Sequence, residues 1–347
     1  MRTDTARAEL DLLVIGDCNP DVLALGVDVT PDFGQREKLV DSISLIVGGS
    51  AAITAVAAAR LGLRVTLAAA VGSDPAGEFM LGQLAAEGVD TKAIVIRPGL
   101  ATGMSVALSD GSDRAILTAT GAMTSLTAGD VPRGLLGRVR HVHVSSYFLL
   151  EHSLGPGLAE LFDSAHACGA TTSLDTNWDP AERWTGDQLR GVLANTDVLL
   201  PNEEEAERLS GQSSVCDALP VLSAIGPTVV VKLGARGAVC IDGTLPRLIH
   251  PPSGLAGEFV DATGAGDCFN AGLIAGLLDG MCLRAAVGLG CATGSASTRG
   301  AGGTAAAPDL AAALALAKSV HTQAAWSADQ DAAGVPVERR GPDGGLR

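Results

Sequence analysis

Short apolar runs bounded by turn residues alternate along most of this chain with segments of helical length, and this alternation restricts the fold more than any other feature. Strand-like runs at Leu10–Gly16, Arg64–Val71, Val139–Ser145, Thr171–Asp175, Val198–Leu200 and Thr228–Lys232 are interleaved with helix-like stretches at Ser50–Leu61, Leu158–Cys168, Gln188–Ala194 and Ala218–Ala224. Parallel strands need a crossover connection, and a helix usually supplies it. The order therefore predicts an α/β protein whose mostly parallel central sheet is covered by helices on both faces. Two stretches, 21–47 and 102–122, break the rhythm. Their strand-like pieces, Leu39–Val47, Gly103–Leu108 and Arg114–Ala119, are separated by turn clusters, which predicts hairpins outside the main sheet. With no internal repeat or long linker, a single domain over 10–321 is expected, followed by a polar tail over 322–347.

Charge and cysteine usage narrow the function classes. The chain carries 24 Lys plus Arg against 39 Asp plus Glu, a net charge of −15, which argues against a general nucleic-acid binder. Only 3% of residues are aromatic while 44 are Gly, so small side chains and close backbones must do much of the packing. Seven cysteines without a CxxC pair read as reduced thiols. No signal-peptide pattern precedes the first strand and no apolar run approaches ~18 residues. A cytoplasmic protein without membrane contact is expected.

The segment Phe259–Gly272, FVDATGAGDCFNAG, is the most informative. A strand end passes through Thr263, Gly264, Ala265 and Gly266 into a helix starting near Asp267. Backbone N–H groups converge there on a helix N-terminus, which is an anion site. A carboxylate beside an anion pocket repels its occupant unless it has another task, such as accepting a proton from an attacking hydroxyl. The plainer alternative makes Asp267 an N-cap on a tight turn. Neither a P-loop nor a dinucleotide fingerprint is present, since Phe269 stands where the latter needs Gly.

Other candidates have similar pairs of readings. Lys232, Leu233, Gly234, Ala235, Arg236 and Gly237 form a glycine turn at a strand end, either a bare hairpin or a nucleotide-contacting loop with Lys232 or Arg236 near phosphates. Asn202 and Glu205 open a helix with an acidic first turn, either solvated or placed near hydrated Mg²⁺. Asn19 and Asp21 follow the first strand, where open α/β sheets bind ligands, and Gly48, Gly49 and Ser50 precede the next helix. These five offer donors and acceptors to a polyol. His141 and His143 share one strand face, as core residues or metal ligands. Cys268 starts a helix, a position that lowers a thiol pKa, but with no His neighbour in the sequence it is expected to pack.

Taken in order, these motifs resemble the ribokinase-like, or PfkB, carbohydrate kinases over about Leu10 to Val320. Gly48-Gly49 with Ala51, Ala52, Ala55 and Leu61-Gly62, then Gly72–Gly77, looks like the first signature of that family, and Asp261–Asp267 like the second. Asn202–Glu205 is similar to its N-x-x-E element and Lys232–Gly237 to its G-x-x-G turn. The resemblance implies a three-layer sandwich with a small β lid that closes over the sugar and often supplies a dimer contact. It implies Asp267 as general base, Gly264, Ala265 and Gly266 as anion hole, and Asn19, Asp21, Gly48, Gly49 and Ser50 as substrate contacts. It places Asn202 on nucleotide phosphate, Lys232–Gly237 along the nucleotide, Glu205 on Mg²⁺ through water, and Asp261 and Thr263 beside a monovalent cation such as K⁺. Two positions depart from the pattern. Ile53 stands where many members have Asn, and Asp179 where the D-x-N-x-R element of fructokinase-like members has Arg, with Arg183 as a nearby substitute.

The expected activity is ATP- and Mg²⁺-dependent phosphorylation of a small unphosphorylated sugar or sugar acid. The substrate-side segments carry few cations besides Arg36, Lys38 and Arg114, which disfavours a phosphosugar. A nucleoside acceptor and a non-catalytic sugar- or nucleotide-binding protein stand as alternatives.

Overall fold

Strand β1 (Leu12–Ile15) shows in four residues why the sheet is covered on both sides. Side chains alternate across a strand. Leu13 and Ile15 enter one hydrophobic core while Leu12 and Val14 enter the other, and all four are fully buried. The computed structural model describes residues 8–109, 114–242, 245–253 and 257–323.

The chain continues through β2 (Asn19–Leu25), β3 (Ser42–Gly48), α1 (Ser50–Arg60), β4 (Val65–Ala68), β5 (Ala70–Gly72), α2 (Pro75–Ala86), β6 (Val95–Arg97), β7 (Met104–Ser109) and β8 (Arg114–Ala119). Then come α3 (Arg133–Leu136), β9 (His141–Val144), α4 (Tyr147–Leu150), α5 (Gly155–Ala167), β10 (Thr171–Leu174), α6 (Asp187–Ala194), β11 (Val198–Leu199), α7 (Glu203–Ser210) and α8 (Val215–Ser223). The last part holds β12 (Thr228–Lys232), β13 (Ala238–Asp242), β14 (Leu245–Ile249), α9 (Ala265–Leu278), α10 (Leu283–Ser297), α11 (Leu310–Ala317) and β15 (Thr322–Gln323).

Among the described residues the main sheet has nine strands in the order β15-β14-β13-β12-β11-β10-β9-β1-β4. From β4 to β12 neighbouring strands are parallel, and β12 to β15 are antiparallel. Helices α5, α6, α7 and α8 bury Leu158, Leu161, Phe162, Leu189, Val192, Ala206, Leu219 and Leu222 in one core. Helices α1, α2, α9 and α10 close the opposite face with Ala51, Ala55, Met80, Leu84, Leu273, Ile274 and Val287. Small residues let α9 and α10 approach closely: a Cβ on Gly272 would meet Thr293 Oγ1 at 2.5 Å. The expected mostly parallel sheet between two helical layers is the one observed.

A separate four-stranded sheet, β3-β2-β7-β8, forms from the two irregular stretches. Its first strand begins at Asn19 rather than within 21–47, and Asp21 lies inside it. The run expected as one strand over Arg64–Val71 breaks at Ala69, and β5 leaves the main sheet to pair with β6. Helix α2 was not among the expected elements, because glycines at 77 and 82 blur its periodicity; its start signal is clear, with Asp74 accepting from Gly77 N at 2.9 Å and Pro75 in the first turn. Thr322 and Gln323, expected in the tail, pair with β14 as an edge strand, and 324–347 lie outside the described residues.

Candidate active site

Five parallel strands deliver polar residues to their carboxyl ends, the edge at which open α/β sheets bind ligands. Asp17 follows β1, Ser145 and Ser146 follow β9, Asp175 and Asn177 follow β10, Asn202 follows β11, and Lys232 ends β12. Helix α9 points its N-terminus at the same edge.

The turn into α9 is built on Gly264, whose backbone is left-handed (φ 71°) and caps the helix. A side chain there would be strained, and its Cβ would lie 2.4 Å from Gly303 Cα. The helix starts at Ala265, so Asp267 is the third helical residue and not the N-cap. This removes the plainer of its two readings. The Ala265 N–H donates to the Ala262 carbonyl at 3.2 Å, while Gly266 and Asp267 present amides that an α-helix leaves outside its own ladder. Asp267 is buried, and burial, followed by the charge of Asp175, raises its pKa well above the usual carboxylate range. Lys232 and a hydrogen bond from the Ser50 hydroxyl offset part of that rise.

Ser50 belongs to a polar network that joins the two ends of the site. Asp17 accepts from Ser50 N (3.0 Å) and Ala51 N (2.9 Å), fixing the first turn of α1. Asn177 donates to the Ser50 hydroxyl at 3.0 Å and accepts from Ser146 N at 2.7 Å. On β2, Asn19 donates to Asp21 Oδ1 (2.9 Å) and to the Ser105 hydroxyl of β7 (3.3 Å), which pairs with Thr118 of β8 at 3.0 Å. Asp21 packs over Gly48, where a Cβ would fall 2.1 Å from its carboxyl carbon. The expected polyol contacts Asn19, Asp21, Gly48, Gly49 and Ser50 therefore meet in one place.

Asn202 and Glu205 form a reciprocal capping box on α7. Asn202 Oδ1 accepts from Glu205 N at 2.9 Å, and the Glu205 carboxylate accepts from Asn202 N at 2.9 Å and Asn202 Nδ2 at 2.7 Å. A solvated acidic turn describes Glu204, which is exposed, but not Glu205, which is 4% exposed. Burial and then Asp175 push the Glu205 pKa up to about 7. At the glycine turn, residues 234–236 form a short 3₁₀ turn, and Arg236 pairs with Glu203. Lys232 points away from that turn into an ion pair with Asp175 at 2.5 Å. Burial opposes its charge, but Asp175, Glu205 and Asp267 outweigh burial and raise its pKa.

Asp261 is a loop clamp: Oδ1 accepts from Thr263 N (3.0 Å) and Oγ1 (2.9 Å), and Oδ2 accepts from Gly302 N (2.9 Å). Asp261 and Thr263, expected beside a monovalent cation, thus meet in one buried loop with Gly302. For Mg²⁺, buried Glu205 lies near Asp175, and burial followed by the Asp175 charge raises its pKa, so a cation there would favour its ionised form; Mg²⁺ needs few protein ligands because it keeps its waters.

Both departures from the resemblance have structural explanations. Ile53 packs under the anion turn, with its side-chain carbons about the places that Cβ atoms on Gly264 and Gly303 would take. Asp179 accepts from Ala181 N, Arg183 N and Trp184 N and ties down its own loop, while Arg183 is engaged by Glu151 instead of replacing the missing cation. His141 and His143 form a ladder with Thr171, Ser173 and Ser145 at 2.7–2.9 Å that occupies all four ring nitrogens, and burial lowers their pKa values to about 3 and 4. The metal reading fails for this pair. Burial raises the Cys268 thiol to about 12, in keeping with a packing residue despite its place at a helix start. Sequence reasoning missed Asn270, whose signal was its position one turn after Asp267 on α9.

Comparison with known proteins follows the same outline. The family described as pfkB family carbohydrate kinase matches residues 9–310. The ribokinase of Haemophilus influenzae is 29% identical over 296 residues, covering 82% of this chain and 91% of its own. The ATP-dependent 6-phosphofructokinase of Thermoanaerobacterium thermosaccharolyticum is 26% identical over 309 residues, covering 86% and 94%. Among solved structures, an Escherichia coli protein assigned as ribokinase II, in complex with ATP and Mg²⁺, superimposes with a TM-score of 0.77 at 25% identity, covering 89% of this chain and 99% of the other.

Proposed function

The chain belongs to the pfkB family of carbohydrate kinases, and from that premise we propose that it transfers the γ-phosphoryl group of ATP, with Mg²⁺, to a hydroxyl of a small unphosphorylated sugar or sugar acid. The observation that carries this reading is Asp267, a buried carboxylate with a raised pKa, hydrogen-bonded to Ser50 beside the first turn of α9. An acceptor hydroxyl held by Asn19, Asp21, Ser50 and the Gly48–Gly49 turn loses its proton to Asp267. Its oxygen forms the new bond to phosphorus as the bridging P–O bond to the leaving ADP breaks. The amides around Gly264–Gly266 receive the charge on the transferring group. The raised pKa makes the ionised Asp267 carboxylate a stronger base toward the acceptor hydroxyl.

Asn202 and the Lys232–Gly237 turn would hold the nucleotide, and Glu205 would hold Mg²⁺ through water. Bound Mg²⁺ supplies charge neutralisation of the phosphates. No step is assigned to a monovalent cation. The cytoplasm is the proposed location, since seven cysteines without a CxxC pair suit reduced thiols; among the described residues no helix is long and apolar enough to cross a membrane.

The acceptor class rests on the hydrogen-bonding character of the Asn19, Asp21, Ser50, Ser105, Thr118 and Asn177 cluster, which matches hydroxyls rather than a stacked base. Relatives include proteins named as nucleoside kinase and cytidine kinase, so the test must span both classes. ADP release is measured with MgATP and a panel of sugars, sugar acids, phosphosugars and nucleosides. Turnover with a free sugar or sugar acid is expected. Turnover with nucleosides alone transfers the reading to the nucleoside class, and binding without turnover for every acceptor makes the chain a binding protein.

A further inference from the structure

Lys232 carries more than a place along the nucleotide. Its Nζ lies 2.5 Å from Asp175 Oδ2, with the lysine side chain 12% exposed and the aspartate 1%. Asn270 donates Nδ2 to the same carboxylate oxygen at 2.6 Å, and its own Oδ1 is buried without a hydrogen-bond partner. A Cβ built on Gly266 would lie 3.5 Å from Lys232 Nζ, so the ammonium borders the first turn of α9, beside the amides proposed as the anion hole. The backbone of Lys232 is fixed as well, its N–H donating to Pro201 O at 2.9 Å and its strand bridging to Asn202.

We propose that Lys232 is a further catalytic residue: Asp175 and Asn270 hold its ammonium at the edge of the anion hole, and on nucleotide binding it moves onto the γ-phosphoryl group and offsets the charge that builds there. The proposal rests on the phosphotransferase reading above. A purely structural pair is the weaker account, because burying an ion pair gains little over an apolar pair of the same volume, and a half-satisfied network with an orphaned Asn270 Oδ1 is worse still. The charge inventory points the same way. Asp175, Glu205 and Asp267 put three carboxylates around the place where a polyanion must enter, and a helix terminus supplies only about half a charge against them. Phosphoryl transfer depends on positioning and charge stabilisation, which a desolvated ammonium beside the hole supplies. Asp175 keeps the Asn270 hydrogen bond when the ammonium leaves, so the exchange does not strand a bare carboxylate.

The test compares binding of MgADP with that of the magnesium complex of a β,γ-imido ATP analogue, by calorimetry, in the wild type, Lys232→Met and the double variant Lys232→Met/Asp175→Asn. Lys232→Met is expected to weaken the triphosphate analogue about tenfold or more and MgADP less than about threefold, as for loss of one charge-assisted contact to the third phosphate. The double variant removes both charges, so no unpaired carboxylate is left to unfold the protein, and it is expected to show the same selective loss. Equal losses for both nucleotides, no loss for either, or recovery of triphosphate binding in the double variant would each overturn the proposal. Wild-type binding without acceptor turnover would sink the kinase reading while the nucleotide ratio still decides on Lys232. A wild type that binds neither nucleotide removes both.

Discussion

Four aspartates near one sheet edge have different tasks, set by what surrounds each carboxylate. Asp17 and Asp179 accept backbone N–H groups and fix a helix start and a loop, Asp175 accepts from Lys232 and Asn270 on one oxygen, and Asp267 sits buried in a first helical turn with the Ser50 hydroxyl as partner. That difference makes a sharp prediction. Asp267→Asn keeps the shape and the helix and is expected to lower kcat by about 10²-fold or more with nucleotide affinity nearly unchanged; a variant with wild-type turnover would refute proton transfer to this residue. In the sequence Asp267 carried two readings, proton acceptor or N-cap, and its place as third residue of α9 is what removes the second. The pairing of Asp175 with Asn270 was not legible there, since it forms only when the end of β10 meets the start of α9, far away in the chain.

Helix termini account for much of the site at the next scale. Helices α1, α7 and α9 all start at the sheet edge, capped by Asp17, by the Asn202–Glu205 box and by left-handed Gly264 respectively. The capping box has a consequence for pH. Glu205 has its pKa raised from 4.5 to about 7 in the fold, so the folded state binds its proton more tightly than the unfolded chain does. The stability this contributes is fully present below the unfolded pKa and is lost as pH rises through about 7. Thermal unfolding of the nucleotide-free protein followed from about pH 5 to 8 should show a falling melting temperature, and Glu205→Gln should flatten that fall while keeping the cap. A slope unchanged by the substitution would place the titrating group elsewhere. The sequence offered a solvated acidic turn or a Mg²⁺ contact for this spacing; burial sets Glu205 apart from exposed Glu204, and the reciprocal capping box was not foreseen.

Across the whole molecule, the four-stranded sheet has two unlike faces. Asp21, Ser105 and Thr118 lie in one cross-strand row of buried or polar positions, whereas Leu45, Val22, Val106 and Leu117 form a row on the other face, with Ile43 beside them. Leu117 is 69% exposed and Ile43 67%. An apolar sheet face of this kind favours pairing, and we propose that two lids pack through it in a homodimer. Sedimentation should give a dimer that Leu117→Asp converts to a monomer; a monomeric wild type would discard the contact. The sequence by itself determined the alternating strands and helices, the two excursions that make this sheet, and the ordered glycine motifs, because periodicity and backbone freedom are local properties. Only the tertiary structure decided that Asp179 ties down its loop and Ile53 packs under the anion turn, that Asp267 sits inside its helix, and that Lys232 turns toward Asp175. Burial and charge balance depend on residues far apart in the chain, and those meet only when strand ends and helix ends converge on one edge.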